Sequence, residues 1–224
     1  ESGTLVSGII GGLYSSTATI SVLARKSRKA SEQEATDYVA AMLLAVSMMF
    51  LRFMILILIF SREIFLSIYP YLLTMAVVAA IVAWFIHSRQ KRPEDQPAEI
   101  EEDDSSNPLE FKVALIFAVL FVIFTFLTHY TLVYAGTGGL NLLSFVSGFS
   151  DITPFILNLL QNTGSVAALI ITACSMQAII SNIMVNMFYA LFFAGKGSKL
   201  RPWILGGFGV VIACNLVLLL FFYI

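Results

Sequence analysis

LVSGIIGGLYSSTATISVLA, residues 5–24, is long and apolar enough to lie in a membrane, yet its middle is built from residues that let a helix come apart. Gly8, Gly11 and Gly12 precede the run Tyr14-Ser15-Ser16-Thr17-Ala18-Thr19. Glycine lets the backbone leave helical geometry, and Ser and Thr offer it competing hydrogen bonds. In hydrocarbon an interrupted helix survives only where protein or a water-filled cavity satisfies the freed groups. Such interruptions supply the carbonyls and half-helix ends that bind ions near the midplane of transporters. The alternative is that the small residues simply permit close helix packing, which the Gly8/Gly12 spacing also serves.

The rest of the chain makes the membrane reading firm. Of its 224 residues 58% are hydrophobic and 12% charged, which a soluble domain of this length would not carry. Residues 39–60, 64–86, 113–133, 166–193 and 203–223 each reach the roughly 20 residues that a helix needs to cross a bilayer. A second irregular stretch, 140–160, contains Gly148, Asp151 and Pro154. The apolar runs are continuous rather than alternating, which excludes a barrel. The expected fold is all-α: a polytopic transmembrane helical protein with about seven membrane segments, the two irregular ones broken or re-entrant.

Residues 87–112, HSRQKRPEDQPAEIEEDDSSNPLEFK, change composition abruptly. They read as a solvated tether, dividing the chain into a first membrane repeat (1–87), a charged linker (88–110) and a second membrane repeat (111–224). Residues 5–24 align without gaps to 141–160, NLLSFVSGFSDITPFILNLL, matching Gly12 to Gly148, Thr17 to Thr153, Ile20 to Ile156 and Leu23 to Leu159. A long apolar helix and a closing helix follow in each half, and RFMI (52–55) is set opposite NIMV (182–185). The second half has an extra leading helix at 113–133; its counterpart, and whatever else precedes Glu1, is expected upstream.

Two orientations are compatible with the basic residues. If both irregular stretches cross fully, as their length favours, Arg25, Lys26, Arg28, Lys29, Arg89, Lys91, Arg92 and Lys112 share the cytoplasmic side, opposite Arg62, Lys196, Lys199 and Arg201. The halves then run parallel. If the stretches dip in and return, the halves are inverted and the loop 195–202 joins the cytoplasmic side.

Of 13 Lys and Arg and 14 Asp and Glu, only Arg52 and Asp151 fall inside the long apolar stretches. Each costs at least ~2.5–3.5 kcal/mol at membrane depth and is expected to face the interior. Asp151 can bind a cation, carry a proton, or cap a half-helix starting near Pro154. Arg52 can pair with Asp151, attract an anion, or act as a fixed charge in place of a cation. Asn182 and Asn186 share one helical face with Ser175, flanked by Gln177 and Ser181, either as interhelical glue or as the lining of a pathway. The candidate ion-binding residues are Ser15, Ser16, Thr17, Thr19, Arg52, Ser150, Asp151, Thr153, Asn182 and Asn186. Cys174 and Cys214 read as apolar packing residues.

No phosphate-binding loop, dinucleotide fingerprint, metal-ligand spacing or nucleophile elbow is present. Neither an enzyme nor a cofactor is expected, and nucleic acid is not an expected partner. At GGLYSSTATISVLARKSR, residues 11–28, with a later Gly-x-x-Asp at Gly148–Asp151 and Ala178, Ser181 and Asn182, the chain resembles the membrane domain of unknown function 4010. Asn186 stands where that family often has Lys. The family often follows an MgtC/SapB-type membrane domain in bacterial proteins, so the resemblance implies ion homeostasis, an upstream domain of that type and a bacterial inner-membrane location. A Ser-Ser-Thr-Ala run also occurs on a broken helix of potassium-efflux cation/proton antiporters, a likeness of four residues only. The leading reading is an ion transporter or channel with a midplane polar site; the alternative is a non-transporting scaffold or regulator. The bilayer, a small ion and further copies of the chain are the expected partners.

Overall fold

The structure, a computed structural model, describes residues 2–28, 30, 34–89, 108–149, 151–161, 166–195, 198 and 200–223. Ser150, the central part of the charged linker and Lys196 and Lys199 lie outside the described residues. The described chain is helical, without a strand: α1 (Ser2–Lys26), α2 (Glu34–Phe60), α3 (Arg62–Ser88), α4 (Pro108–Ser147), α5 (Ile152–Gln161), α6 (Ala168–Ala194) and α7 (Arg201–Tyr223). By length and composition, Gly3–Lys26, Thr36–Phe60, Arg62–Ser88, Ala168–Ala194 and Arg201–Phe221 could each cross a membrane. The first arm of α4 covers the apolar stretch read at 113–133.

Neither α1 nor α4 is one straight rod. Ser15 has φ −155° and ψ 108°, extended rather than helical. Its hydroxyl accepts the Ala18 N–H at 3.3 Å, the geometry of an N-cap opening a new helix. A Cβ built on Gly11 would lie 2.5 Å from Thr19 Oγ1. Eight residues of straight helix span ~12 Å, so this approach requires the arms 2–14 and 16–26 to fold against each other. Gly136, at φ 57° and ψ −147°, does the same in α4, bringing Gly139 against Thr131. That backbone region is open to glycine and strained for other residues.

The contacts fix the relative directions. The first arm of α1 packs on α2 in parallel, Gly8 beside Ala41 and Gly12 beside Ala45. A Cβ on Gly12 would sit 2.5 Å from Ala45 Cα, so only glycine allows this approach. The second arm runs back: Arg25 lies over the Phe193 ring at 4.3 Å, and Arg28 donates to the Phe192 and Phe193 carbonyls at the end of α6. There the guanidinium meets the negative end of the helix dipole. The basic segment after α1 and the loop after α6 therefore occupy one end of the bundle. This corrects the full-crossing orientation, which separated them.

α2 and α3 are antiparallel, joined by Ser47 Oγ donating to Ala76 O at 2.8 Å and by His87 Nδ1 with Asp37 Oδ1 at 2.7 Å. α7 lies antiparallel on α3, with Gly207 against Ile86 and the Tyr71 hydroxyl donating to Asn215 Oδ1. In the second half the arm 138–147 runs parallel to α6. The Ser144 hydroxyl donates to Gln177 at 2.8 Å, Ser181 donates to Phe145 O at 2.6 Å and Asn182 Nδ2 to Gly148 O at 3.2 Å. The chain turns at 148–151, and α5 returns, Asn158 donating to Thr125 at 2.8 Å and Phe155 packing on Phe124. The core is continuous across both halves, from Ile20 through Phe50 and Phe53 to Phe155 and Phe208.

Candidate functional site

Two helical corners, at Ser15 and at 148–151, reach a common cavity of about 360 Å³. The first corner contributes Ser15, Ser16, Thr17, Ala18 and Ser21, and the second Phe149, Asp151 and Ile152. Met49 and Arg52 of α2 and Asn182, Val185 and Tyr189 of α6 complete the lining. Six of the residues singled out from the sequence, Ser15, Ser16, Thr17, Arg52, Asp151 and Asn182, therefore meet around one space.

Arg52 is half-buried and spans the two corners. Its Nη1 donates to the Tyr14 carbonyl at 2.6 Å, the last of the first arm, and its Nη2 to Thr153 Oγ1 at 3.2 Å, in the first turn of α5. Its Nε is buried without a hydrogen-bond partner. Asp151 is exposed and lines the same cavity. No ion pair within 4 Å joins it to Arg52; among the described residues that geometry occurs between Asp37 and His87. Asp151 Oδ1 instead accepts the Thr153 N–H at 2.9 Å. Ser15 and Asp151 therefore play one local role, each accepting an amide at the start of a half-helix.

Ser16 is 4% exposed, lines the cavity and has no hydrogen-bond partner for its hydroxyl among the described residues. Thr153 stands just behind the lining, buried, and reaches it through Arg52. Asn186 is set deeper: its Nδ2 donates to Asn182 Oδ1 at 3.1 Å while its own Oδ1 is buried without a partner. Thr19 is drawn away, its hydroxyl donating to Ser15 O at 2.8 Å and its methyl against Gly11. Along α6, Gln177 and Ser181 join that helix to the arm 138–147, as interhelical glue. Among the described residues no group of three His, Cys, Asp or Glu side chains could hold a metal ion.

Sequence reasoning missed Tyr189, Met49, Phe149 and Ser21 as lining residues. Ser21 lies one turn beyond Thr17, whose carbonyl its hydroxyl bonds at 2.8 Å, and helical spacing could have found it. The aromatic and Met residues carry no such signal in an apolar helix.

A protein of Aquifex aeolicus (strain VF5), described as an uncharacterized protein, is 25% identical over 220 residues, spanning 96% of this chain and 93% of its own. No solved structure matches the chain. Residues 1–194 match the family described as Domain of unknown function (DUF4010), and the chain belongs to that family.

Proposed function

We propose that this membrane-like helical protein carries a small ion across the bilayer through an inverted pair of structural repeats. Each repeat consists of a helical hairpin followed by two crossing helices. The hairpins are α1, and the arm 138–147 with α5; the crossing pairs are α2 with α3, and α6 with α7. A spacing of 33 residues separates Ser144 from Gln177 and Asn141 from Cys174 across the second hairpin and α6. The same spacing separates Gly8 from Ala41 and Gly12 from Ala45 in the first half, and Gly148 from Ser181 in the second. These registers agree with the gapless match of 5–24 to 141–160. They set Val46, not Arg52, opposite Asn182, so the sequence pairing of RFMI with NIMV is shifted. α2 and α6 run in opposite directions, which makes the relation an inversion, and α4's first arm stands outside it.

The single observation that carries the reading is the meeting of the two corners, from opposite ends of the bundle, at one polar cavity bridged by Arg52. Broken helices meeting at the midplane are a recurring architecture of ion-coupled transport. The shared basic end, with Arg25, Lys26, Arg28, Arg89 and Arg201 against Arg62 opposite, supports a cytoplasmic assignment for that end in an inner membrane. The resemblance read from the sequence adds an MgtC/SapB-type domain as an upstream partner and ion homeostasis as the setting.

Ion flux in reconstituted liposomes, across a panel of monovalent and divalent salts, tests transport. Wild type exceeds protein-free liposomes for at least one salt, and Ser21→Phe, which fills the cavity, abolishes the excess while the protein still melts cooperatively. Flux at the background level for every salt leaves the scaffold reading, which the Gln177 and Ser181 interhelical bonds favour. Labelling of single cysteines tests the inversion: Arg89→Cys and Ser198→Cys react from one face and Arg62→Cys from the other. Ser198→Cys reacting with Arg62→Cys would restore full crossing.

A further inference from the structure

We infer that the ion held at this cavity is a small anion, seated between Arg52 and the start of the second arm of α1; the inference rests on the cavity being the ion site of the proposed function. Four groups could set the sign of the ion: Arg52, Asp151, and the two half-helix N-termini that begin at Ser15 and Asp151. Their hydrogen bonds leave them unequally committed.

The second N-terminus is already neutralised. Asp151 accepts the Thr153 amide at 2.9 Å, so a full negative charge faces the positive end of α5. The first N-terminus is capped by a neutral hydroxyl, that of Ser15. Its dipole has no such counter-charge, and the first amides of any helix lack a carbonyl one turn earlier. Ser16 and Thr17, which hold those positions, both line the cavity.

Two further donors have no partner. Arg52 uses Nη1 and Nη2 on Tyr14 O and Thr153 Oγ1, leaving its Nε–H buried and unbonded. The Ser16 hydroxyl, on a residue 4% exposed, is unbonded among the described residues. The Ser16 hydroxyl can donate to an anion or offer its oxygen to a cation, so the sign is set by the Arg52 charge and the uncompensated helix end. An anion in the cavity accepts from the Ser16 hydroxyl and from the amide end beside the positive charge of Arg52, the chemistry by which helix N-termini and guanidinium groups hold anions. Of the carbonyls at the ends of the two leading arms, Tyr14 O already accepts from Arg52 and Gly148 O from Asn182. A cavity of about 360 Å³ holds such an anion with several of its waters. Asp151 opposes the anion across the same space and limits its affinity.

This assignment gives a sign test. Asn is as good an N-cap as Asp, so Asp151→Asn keeps the start of α5 and removes only the charge. The purified protein in detergent is titrated with the sodium salts of fluoride, chloride, nitrate and formate at constant ionic strength against gluconate, with the melting temperature as readout. Parallel titrations vary the cation at fixed chloride. At least one anion raises the melting temperature of wild type saturably. Asp151→Asn tightens that anion's apparent affinity at least about threefold, Arg52→Gln weakens it at least about tenfold, Arg52→Lys restores part of it, and Ser16→Ala weakens it severalfold.

Cation-specific stabilisation that Asp151→Asn abolishes overturns the inference and leaves the transport reading intact. The absence of any anion-specific shift, or anion shifts indifferent to Arg52→Gln, Arg52→Lys and Ser16→Ala alike, also overturns it. Anion binding that follows the stated pattern, together with liposomes that pass no ion, upholds the inference and removes transport instead.

Discussion

The two hairpins reach the cavity with the same backbone plan and different chemistry at their corners. At the first, Ser15 caps the returning arm with a neutral hydroxyl and Gly12 lets the corner press on α2. At the second, Asp151 caps α5 with a charge, and Gly148 presses on Ser181 and Asn182 of α6. Arg52 belongs to the first half but holds both corners, bonding Tyr14 O and Thr153 Oγ1. The comparison separates what the plan requires, a small residue before the corner and an acceptor at it, from what is free to differ, the charge of that acceptor. The difference leaves one helix N-terminus open to the cavity and the other closed.

The most severe way to break the comparison is to remove the small residues. Gly12→Leu and Gly148→Leu each force a side chain into a neighbouring helix, Ala45 in one case and Ser181 with the Asn182 backbone in the other. Overpacking of this kind costs about 1–3 kcal/mol or more, so both variants melt well below wild type in detergent. If Gly148→Leu is tolerated and Gly12→Leu is not, the hairpins are not equivalent and the inverted relation loses its structural support.

Arg52→Ala cuts the link between the hairpins. It removes a charged donor from the Tyr14 carbonyl and the partner of Thr153. Because cavity water replaces part of what is lost, the expected cost is about 1–2 kcal/mol, at or below the usual range for hydrogen bonds to charged groups. The double variant Arg52→Ala/Thr153→Val should cost less than the sum of its parts. Strict additivity would mean that the Arg52–Thr153 contact does not couple the corners.

How much of this was legible beforehand follows from what each feature depends on. The break at Ser15 was readable, because Gly and Ser/Thr content acts locally on the backbone, as was the break before Pro154, which opens α5 rather than interrupting it. Arg52 and Asp151 were readable as site candidates because charge in an apolar stretch is expensive wherever the chain goes; Arg52 is half-buried, and Asp151 is exposed where it lines the cavity. The fold-back was not: twenty apolar residues sum to the same hydropathy as one crossing or as two half-length arms. What decides between them is Gly11 meeting Thr19, and Arg28 reaching α6, a contact 165 residues away in sequence. The register of the proposed repeats, which sets Val46 rather than Arg52 opposite Asn182, was hidden for a related reason. Apolar helices match one another at several registers, and only the glycine contacts with α2 and α6 select one. Thr19 was misplaced among cavity residues because its helical neighbours point there while its own hydroxyl turns back to Ser15.

The first corner's cap offers a milder test. Ser15→Ala removes the acceptor for the Ala18 amide while leaving the backbone free to stay extended, so about 1 kcal/mol of stability is lost. Ser15→Asp, which gives the first corner the chemistry of the second, keeps the cap and places a charge at the open N-terminus. Thermal stability is then retained or slightly raised, since acidic groups favour helix N-termini by ~0.3–1 kcal/mol. Anion-dependent stabilisation should fall at the same time. A variant that loses stability as Ser15→Ala does would show that the corner's geometry, not the acceptor, is what the serine supplies.

The smallest stability effect belongs to the reverse exchange, Asp151→Ser, which gives the second corner the chemistry of the first. Ser and Asp are nearly equal as N-caps, and among the described residues Asp151 has no ion pair within 4 Å to lose. The cost in stability is therefore a few tenths of a kcal/mol, arising from the lost charge–dipole attraction at α5. Its effect on the cavity is the opposite of small, because both half-helix ends now face Arg52 without a counter-charge. Melting curves near wild type, combined with tighter anion binding, would establish that the corners share a plan and that Asp151 is present for its charge. A melting temperature several degrees lower, with unchanged ion response, would assign Asp151 to holding α5 in place and leave the cavity's sign to Arg52 alone.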